Sequence, residues 1–474
     1  MTGASQRAVR RRARRAQPTL AHRPRPPLPP GPYVVVGLAR SGRAAALALA
    51  ERGEQVIGLD AGAPDGLDEL TASGVEVRAG AEATALPQRA CALIKSPGVP
   101  PQAPAIADAR RRGLPVLGEL ELGWRLLPNQ FIAVTGTNGK TTTAELIGHI
   151  HRAAGLAVAV AGNVGTAVSG LAGTLAEHAT VVCEASSFQL EDTLAFAPEA
   201  AVLVNLTPDH LDRHRTLAAY VAAKANAFAR QRADDVAVLR SSLLAGQGAN
   251  GAQEAALLAR AGSARRVGFG AGPDAALRER EGELCWNGRD LLAARELRLR
   301  GRHNLENAMA AAAACLARGV DEDAVRSGLR SFAGVKHRLE EIAHRGGVTY
   351  VNDSKATNVA STLVALDALG EGGGVHLILG GQGKGQDFAG LRGPMQRSCA
   401  AVYLIGEDAP VIAAALADAG VSLHMCGELE LAVAQAALAA APGEVVLLSP
   451  ACASFDQFDD FEARGERFRE LVSG

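Results

Sequence analysis

The chain has 474 residues, of which 48% are hydrophobic and 21% charged, and its formal net charge is −1. That length exceeds one ordinary core and points to about three domains, and the composition excludes a disordered or fibrous chain. The near-zero charge argues against nucleic-acid binding, and the absence of any run of about 18 apolar residues argues against membrane insertion. Seven scattered cysteines with no CxxC pair read as free thiols in a reducing compartment.

Residues 1–30 hold eight arginines and no acidic residue, and the basic run is followed by prolines, not by an apolar segment. This reads as a disordered basic tail and not as a signal peptide. The folded part opens with "PYVVVGLARSGRAAALALAERGEQVIGLD": an apolar strand, a glycine turn, an alanine-rich helix and a second strand ending at Asp60. The turn from Gly37 through Ser41 to Gly42 approaches GxGxxG, with Ala39 at the second glycine, and Asp60 lies where an acid meets a ribose or base. On these residues alone an NAD-dependent dehydrogenase stands as one reading. Ser96 and Gly98 follow in "IKSPGVP", at the end of a later strand.

"LLPNQ" (126–130) looks like a linker. Beyond it, "FIAVTGTNGKTTTAELIGHIHRAAG" reads strand, glycine loop, helix. Backbone N–H groups in such a loop face phosphate, the helix N-terminus adds positive potential, Lys140 supplies a cation and Thr141 a hydroxyl for a metal ion. Gly136 lies only three positions before Gly139, so the loop departs from the GxxxxGK[ST] spacing. Glu184 ends the strand "TVVCE", where ligands gather in parallel sheets. "TPDHLDRH" carries Asp209, His210, Asp212 and His214 after another strand. "YVAAKANAF" (220–228) reads as helix, with Tyr220 and Phe228 on the face of Lys224; a lone lysine there ordinarily lays its stem on apolar surface and its charge in water. Residues 240–300 are loosely patterned and suggest short strands and loops. "GRHNLENAMAAAAACLARGV" is a helix with its entry loop, and a third α/β stretch has strands at "VTYVND", "VHLILGG", "AVYLIG" and "EVVLLSP".

In combination and in order, these motifs resemble the Mur ligase superfamily. The carrying segments are TGTNGKTT, "EASSFQLED" (184–192), "NLTPDHLDRH" (205–214) with Lys224 fourteen residues past His210, "NDSKATN" (352–358), "LGGQGKGQDF" (379–388) and "LLSPACASFDQF" (447–458). The resemblance spans about residues 33–474. The full set is that of the glutamate-adding branch, and the "DNPR" motif of the diaminopimelate-adding branch is absent.

The resemblance implies an α/β fold of three domains: a Rossmann-like UDP-binding domain (31–128), a central P-loop-type ATPase domain with a mostly parallel sheet (129–333) and a Rossmann-like C-terminal glutamate-binding domain (334–474). The implied activity is ATP-dependent joining of D-glutamate to UDP-N-acetylmuramoyl-L-alanine through an acyl phosphate, in cytoplasmic peptidoglycan precursor synthesis, by a monomer. Gly136, Thr137, Asn138, Gly139, Lys140, Thr141 and Thr142 would hold the ATP phosphates, Asn304 and Asn307 the adenine side, and Arg338 and Asp353 would close over ATP from the third domain. Two Mg²⁺ ions are implied, one on Thr141 and Glu184, the other on His210 and a carbamate formed from CO₂ on Lys224. The implied catalytic set is therefore Lys140, Glu184, His210 and Lys224.

For the UDP-linked substrate the implied residues are Gly37, Ser41, Gly42, Asp60, Ser96 and Gly98, with Asn163 and Ser186 beside His210 at its reacting end. For the acceptor they are Lys355, Thr357, Lys384, Ser454 and Phe461. Three rivals remain: an L-glutamate-adding or folylpolyglutamate-synthase-like ligase, the dehydrogenase, and a nucleotide-switched binding protein. The ATP loop and Ala39 weigh against the second, and the intact acceptor set against the third.

Overall fold

The computed structural model describes residues 23–80, 85–246, 251–272, 275–299, 301–370, 372–383 and 385–473, without the side chains of Asp212 and Gln253. Lys384 and the first 22 residues of the basic segment therefore lie outside the described residues. The chain forms two compact units. One holds residues up to Leu297 together with His303–Phe332, and the other holds Arg298–Arg302 with Ala333–Gly474.

The first unit contains two sheets. The five strands β1 (Tyr33–Val36), β2 (Val56–Asp60), β3 (Glu76–Ala79), β4 (Ala92–Lys95) and β5 (Val116–Gly118) are all parallel, in the order β3-β2-β1-β4-β5. β1 is buried throughout. Successive side chains of a strand point to opposite faces. Accordingly Tyr33 and Val35 join one core, with Leu38 and Leu49, while Val34 and Val36 join another, with Ile57 and Ile106. An apolar run without alternation is what a strand covered on both faces requires.

The second sheet contains β6 (Gln130–Thr135), β7 (Val158–Gly162), β8 (Thr180–Glu184), β9 (Ala200–Leu203), β10 (Val236–Arg240), β11 (Arg265–Phe269), β12 (Leu277–Arg280), β13 (Glu283–Trp286) and β14 (Arg289–Ala293). Their order is β14-β13-β12-β11-β10-β9-β6-β8-β7. From β7 to β12 neighbours are parallel, and β12 to β14 form an antiparallel end. That end lies in the stretch whose pattern suggests only short strands and loops. The core beside the parallel strands of this sheet packs Phe131 and Trp124 edge-on against Phe196.

Two expectations need correction here. Residues 23–30, assigned to the disordered tail, pack on this unit. The Arg25 guanidinium lies 4.5 Å from the Trp124 ring centroid, donates to the Asn129 carbonyl at 2.6 Å and faces Glu199 at 3.0 Å. Arg23 donates to Asp235 at 2.6 Å. These arginines meet carboxylates and an aromatic face, which a net-charge argument could not foresee. The apparent linker 126–130 is also part of the packed unit: Asn129 is fully buried, and its amide nitrogen donates to the carbonyls of Ala176, Glu177 and Ala179.

The second unit holds β15 (Glu340–Arg345), β16 (Val348–Asn352), β17 (Val375–Gly380), β18 (Cys399–Ile405), β19 (Ser422–Gly427) and β20 (Val445–Leu448), in the order β15-β16-β20-β17-β18-β19. All pairs are parallel except β15 with β16. The four central strands are the four legible in the sequence. The two edge strands are not, because β15 reads EEIAHR and β19 is mostly exposed. The architecture is three α/β sheets, mostly parallel. Among the described residues no helix is long and apolar enough to cross a membrane.

Candidate active site

The first unit gathers candidate residues at the carboxyl ends of β6, β8 and β9. Gly136 begins the loop out of β6, and the helix Lys140–Ala153 begins immediately after Gly139. Gly139 has φ +79°, and a Cβ there would stand 2.1 Å from the Asn307 amide oxygen. Only glycine meets both demands. Asn307 is thus packed on the loop, and its amide donates to Asn304 at 3.2 Å. Lys140 donates to the Thr137 carbonyl at 2.8 Å.

The loop is braced by Asn205, which the sequence reading missed. Its amide oxygen accepts from the N–H groups of Thr137 (3.1 Å) and Asn138 (2.8 Å), and its amide nitrogen donates to the Asn138 carbonyl at 3.0 Å. Asn138 therefore spends its N–H within the protein. The only sequence signal was an Asn directly after an apolar strand. Thr137 completes the brace: its hydroxyl donates to the Thr207 carbonyl and lies 2.9 Å from the Tyr220 hydroxyl. Thr141 and Thr142 are buried in the first helical turn.

Lys224 stands behind this loop and does not snorkel. It is 1% exposed, donates to the Gly136 carbonyl at 2.7 Å, and its Nζ lies 4.5 Å from the Tyr220 ring centroid. The helix carrying it, Leu217–Ala225, ends before Phe228, which is nonetheless buried. Burial, reinforced by the Lys140 charge, pushes the Lys224 amine well below the usual lysine range against the pull of Asp209 and Glu184. The surroundings therefore disfavour the charged amine at this position beside the glycine loop.

Glu184 is 3% exposed at the end of β8. Asn163 donates to its Oε1 at 3.2 Å, and its buried Oε2 has no hydrogen-bond partner. A buried carboxylate oxygen left unpaired is costly and marks a place for a cation or a donor. Ser186 caps the short helix Ser187–Leu190, with its hydroxyl and the Gln189 amide closing a capping box. That cap occupies much of its bonding capacity. His210 is left-handed (φ 50°, ψ 35°) and half exposed, with its ring 4.8 Å from that of Phe188. A non-glycine residue held there is strained and fits a functional role. His214 turns inward, 2.9 Å from the Ser187 hydroxyl, and burial lowers its pKa. Among the described residues no three His, Cys, Asp or Glu side chains cluster as a metal site.

The glycine turn after β1 forms a second group. Gly42 is obligatory: a Cβ would stand 1.6 Å from the Gly37 carbonyl oxygen. Ser96 donates to that same carbonyl at 2.8 Å. Asp60 accepts from Leu38 N–H at 2.6 Å and Gly62 N–H at 2.8 Å, so its carboxylate shapes the turn. Ser41 lies in the first turn of the helix Arg40–Ala50, and Gly98 has open space at its Cα. The two groups are tied together. Arg40 donates to the Asn163 carbonyl at 2.9 Å, Arg213 to the Pro97 carbonyl at 2.8 Å, and fully buried Lys95 to Asp192 at 2.6 Å. Neither Arg213 nor Lys95 was singled out in the sequence, because each partner lies about a hundred residues away.

The second unit gathers Arg338, Asp353, Lys355, Thr357, Ser454 and Phe461 around the carboxyl ends of β16 and β20. Asp353 accepts from Leu339 N–H at 3.1 Å and the Ser449 hydroxyl at 2.7 Å. Burial pushes its carboxyl up to about 7, against those bonds and the nearby Arg338 charge. Lys355 Nζ lies 5.4 Å from the Phe461 ring centroid, the Thr357 N–H donates to the Lys355 carbonyl, and Ser454 is buried. The missed residue here is Arg464, fully buried and bonded to Ser354, Cys452 and Ala453.

A glycine loop leading into a helix N-terminus at the carboxyl edge of a parallel sheet, with one carboxylate oxygen of Glu184 unpartnered alongside, is an α/β arrangement suited to receive an anion such as phosphate. Comparison with known proteins narrows this class. The families described as Mur ligase MurD-like N-terminal domain, Mur ligase middle domain, and Mur ligase glutamate ligase domain match residues 32–118, 134–315 and 337–452. The chain is 42% identical over 453 residues to a UDP-N-acetylmuramoylalanine–D-glutamate ligase of Acidobacterium capsulatum, covering 93% of this chain and 95% of that one. It is 44% identical over 463 residues to the enzyme of the same name in Anaeromyxobacter dehalogenans, covering 93% and 96%. Among solved structures, the UDP-N-acetylmuramate-alanine ligase MurC of Thermotoga maritima has a TM-score of 0.59 at 19% identity, covering 93% and 99%. MurF of Acinetobacter baumannii has a TM-score of 0.59 at 18% identity, covering 93% of each chain. The chain belongs to the Mur ligase family.

Proposed function

We propose that this ligase adds D-glutamate to UDP-N-acetylmuramoyl-L-alanine at the expense of ATP, through an acyl phosphate, releasing ADP and phosphate in cytoplasmic peptidoglycan precursor synthesis. The observation that carries the reading is the braced phosphate loop with Glu184 and Lys224 beside it; relatives of that printed name along nearly the whole chain support it. A carboxylate cannot be attacked directly by an amine without expelling oxide. Phosphorylation of the L-alanine carboxylate by the ATP γ-phosphate supplies a leaving group, and the glutamate amine then displaces phosphate at the acyl carbon.

The residues divide the work by chemistry. N–H groups at the start of the helix Lys140–Ala153 and the Lys140 ammonium receive the ATP phosphates, with Asn304 and Asn307 on the adenine side and Arg338 and Asp353 as further ATP ligands. The free Glu184 oxygen and the Thr141 hydroxyl suit one Mg²⁺, and His210 with a carbamylated Lys224 suits a second. Bound there, these ions would neutralise charge between the reacting anions. The neutral amine favoured at Lys224 is the form that attacks CO₂, and carbamylation removes a cation whose burial is costly.

The turn 37–42 with Asp60, Ser96 and Gly98 takes the UDP portion, and Asn163 and Ser186 the reacting end. Lys355, Thr357, Lys384, Ser454 and the Phe461 backbone serve the two glutamate carboxylates. The test is phosphate release by the full chain with Mg²⁺, bicarbonate and UDP-N-acetylmuramoyl-L-alanine, with D-glutamate, L-glutamate or neither, and products weighed by mass spectrometry. A one-glutamate mass gain with D-glutamate only is expected. Gain with L-glutamate only overturns the acceptor, and no turnover with either overturns the reading.

A further inference from the structure

We propose that Arg464 is a positioning residue for the acceptor amino acid: one buried guanidinium ties together the two segments that carry Lys355, Thr357 and Ser454. The inference rests on the acceptor reading given above. Arg464 is 1% exposed and sits in the first turn of the helix Phe461–Ser473. Its Nε donates to the Ser354 hydroxyl at 2.9 Å, and Nη2 donates to the carbonyls of Ser354 (2.9 Å) and Cys452 (3.1 Å). Nη1 donates to the Ala453 carbonyl at 3.3 Å. These acceptors are one hydroxyl and three carbonyls, and none is a carboxylate.

Two of the three contacted residues lie next to a residue of the acceptor set. Ser354 precedes Lys355, and its hydroxyl donates onward to the Phe461 carbonyl at 2.8 Å. Ala453 precedes Ser454. Ala453 also exchanges both backbone hydrogen bonds with Gln382, which leads toward Lys384. A Cβ on Gly381 would stand 3.2 Å from Arg464 Nη1 and 2.3 Å from the Ala453 carbonyl, so the glycine there makes room for this junction. The segments 352–358 and 447–458 thus meet on one side chain, and Gln382 is joined to the second of them through Ala453.

A buried cation hydrogen-bonded only to neutral groups, with the Asp456 charge a lesser support, is an expensive way to fill a core, and an apolar side chain would pack there at less cost. Burial lowers its pKa to about 10, which leaves it protonated at neutral pH. What the guanidinium adds is a rigid fork of donors that fixes two strand-end loops at once. Asp353 has anchors of its own, Ser449 and Leu339. Loosening Arg464 should therefore act on the acceptor before it acts on ATP.

Steady-state kinetics of the full chain test this with Arg464→Lys, which keeps the charge but not the fork, and Ser354→Ala, which removes the Nε acceptor. In both variants KM for D-glutamate should rise about tenfold (about 1.4 kcal/mol), with KM for ATP and the UDP-linked substrate within about twofold. A purely structural role lowers the melting temperature and the active fraction but leaves the KM values of folded molecules unchanged. Unchanged KM for D-glutamate, or an equal rise for all three substrates, overturns the proposal. Should Arg464→Lys not fold, Ser354→Ala decides by the same criteria. Failure of the unmutated chain to use D-glutamate overturns the acceptor reading and this inference with it; turnover with unmoved KM values overturns this inference alone.

Discussion

Replacing Asp353 with asparagine should stabilise the second unit at neutral pH and leave its stability unchanged in acid. The carboxyl is buried, and its pKa rises from the ordinary 3.8 to about 7 because desolvation outweighs the bonds from Ser449 and Leu339 and the Arg338 charge. The folded chain therefore binds this proton more tightly than the unfolded one. Stability then falls as pH rises from 3.8 to about 7, and the penalty is complete above that. At 1.36 kcal/mol per pH unit the full penalty is on the order of 4 kcal/mol. Asparagine keeps the acceptor for Leu339 N–H and can donate to the Ser449 hydroxyl, which already lies 3.3 Å from the Thr362 hydroxyl as a second acceptor. Calorimetry of the full chain at several pH values from about 5.5 to 8 is the assay. The variant's advantage should grow by about 2 kcal/mol over that range, several degrees in melting temperature, while its activity falls. An advantage independent of pH, or a variant less stable at pH 8, would refute the reasoning.

Lys224→Met should lower kcat by about a thousandfold or more while the melting temperature holds or rises, since it removes a buried cation that has one carbonyl acceptor; preserved kcat with a lower melting temperature would contradict this. Asn205→Ala frees the loop N–H of Asn138 and leaves that of Thr137 only the backbone carbonyl of residue 205, and should raise KM for ATP by about ten- to a hundredfold with KM for the UDP-linked substrate unmoved. Gly42→Ala forces a Cβ to within 1.6 Å of a carbonyl oxygen, and should cost about 3 kcal/mol or more of stability and weaken UDP-substrate binding; a normally stable variant with unchanged KM would show that the helix Arg40–Ala50 can move away.

The central strands and the glycine loop between β6 and the helix Lys140–Ala153 were legible because each rests on a local pattern. A fully apolar run marks a strand covered on both faces, and a strand, glycine loop and helix in succession mark a phosphate site whatever lies elsewhere. β15 and β19 were not legible, since an edge strand needs no apolar alternation to pair on one side only. The antiparallel end β12–β14 was hidden in the loosely patterned stretch for a similar reason: hairpin pairing, more than composition, makes it a sheet. Arg23 and Arg25 looked like the rest of the basic tail, and only the positions of Asp235, Glu199 and Trp124 set them apart.

The residues that sequence reading missed share one physical task. Asn205 holds a loop 67 residues away, Arg464 a loop 110 residues away and Lys95 an acid 97 residues away. A glycine loop that leaves its backbone open to a ligand is floppy by composition, and something must restrain it without filling it. Backbone N–H groups bonded to Asn205 and to Asp60 are restrained but are no longer offered to a ligand. On the proposed function, phosphate binding then falls to the N–H groups at the start of the helix Lys140–Ala153. Asp60, read from the sequence as a ligand of uracil or ribose, also acts as the brace of the turn that precedes it. One carboxylate can do both, because two N–H bonds leave lone pairs on each oxygen. Removing it with Asp60→Asn should therefore disturb the turn and UDP binding together, whereas Asn205→Ala should disturb ATP alone.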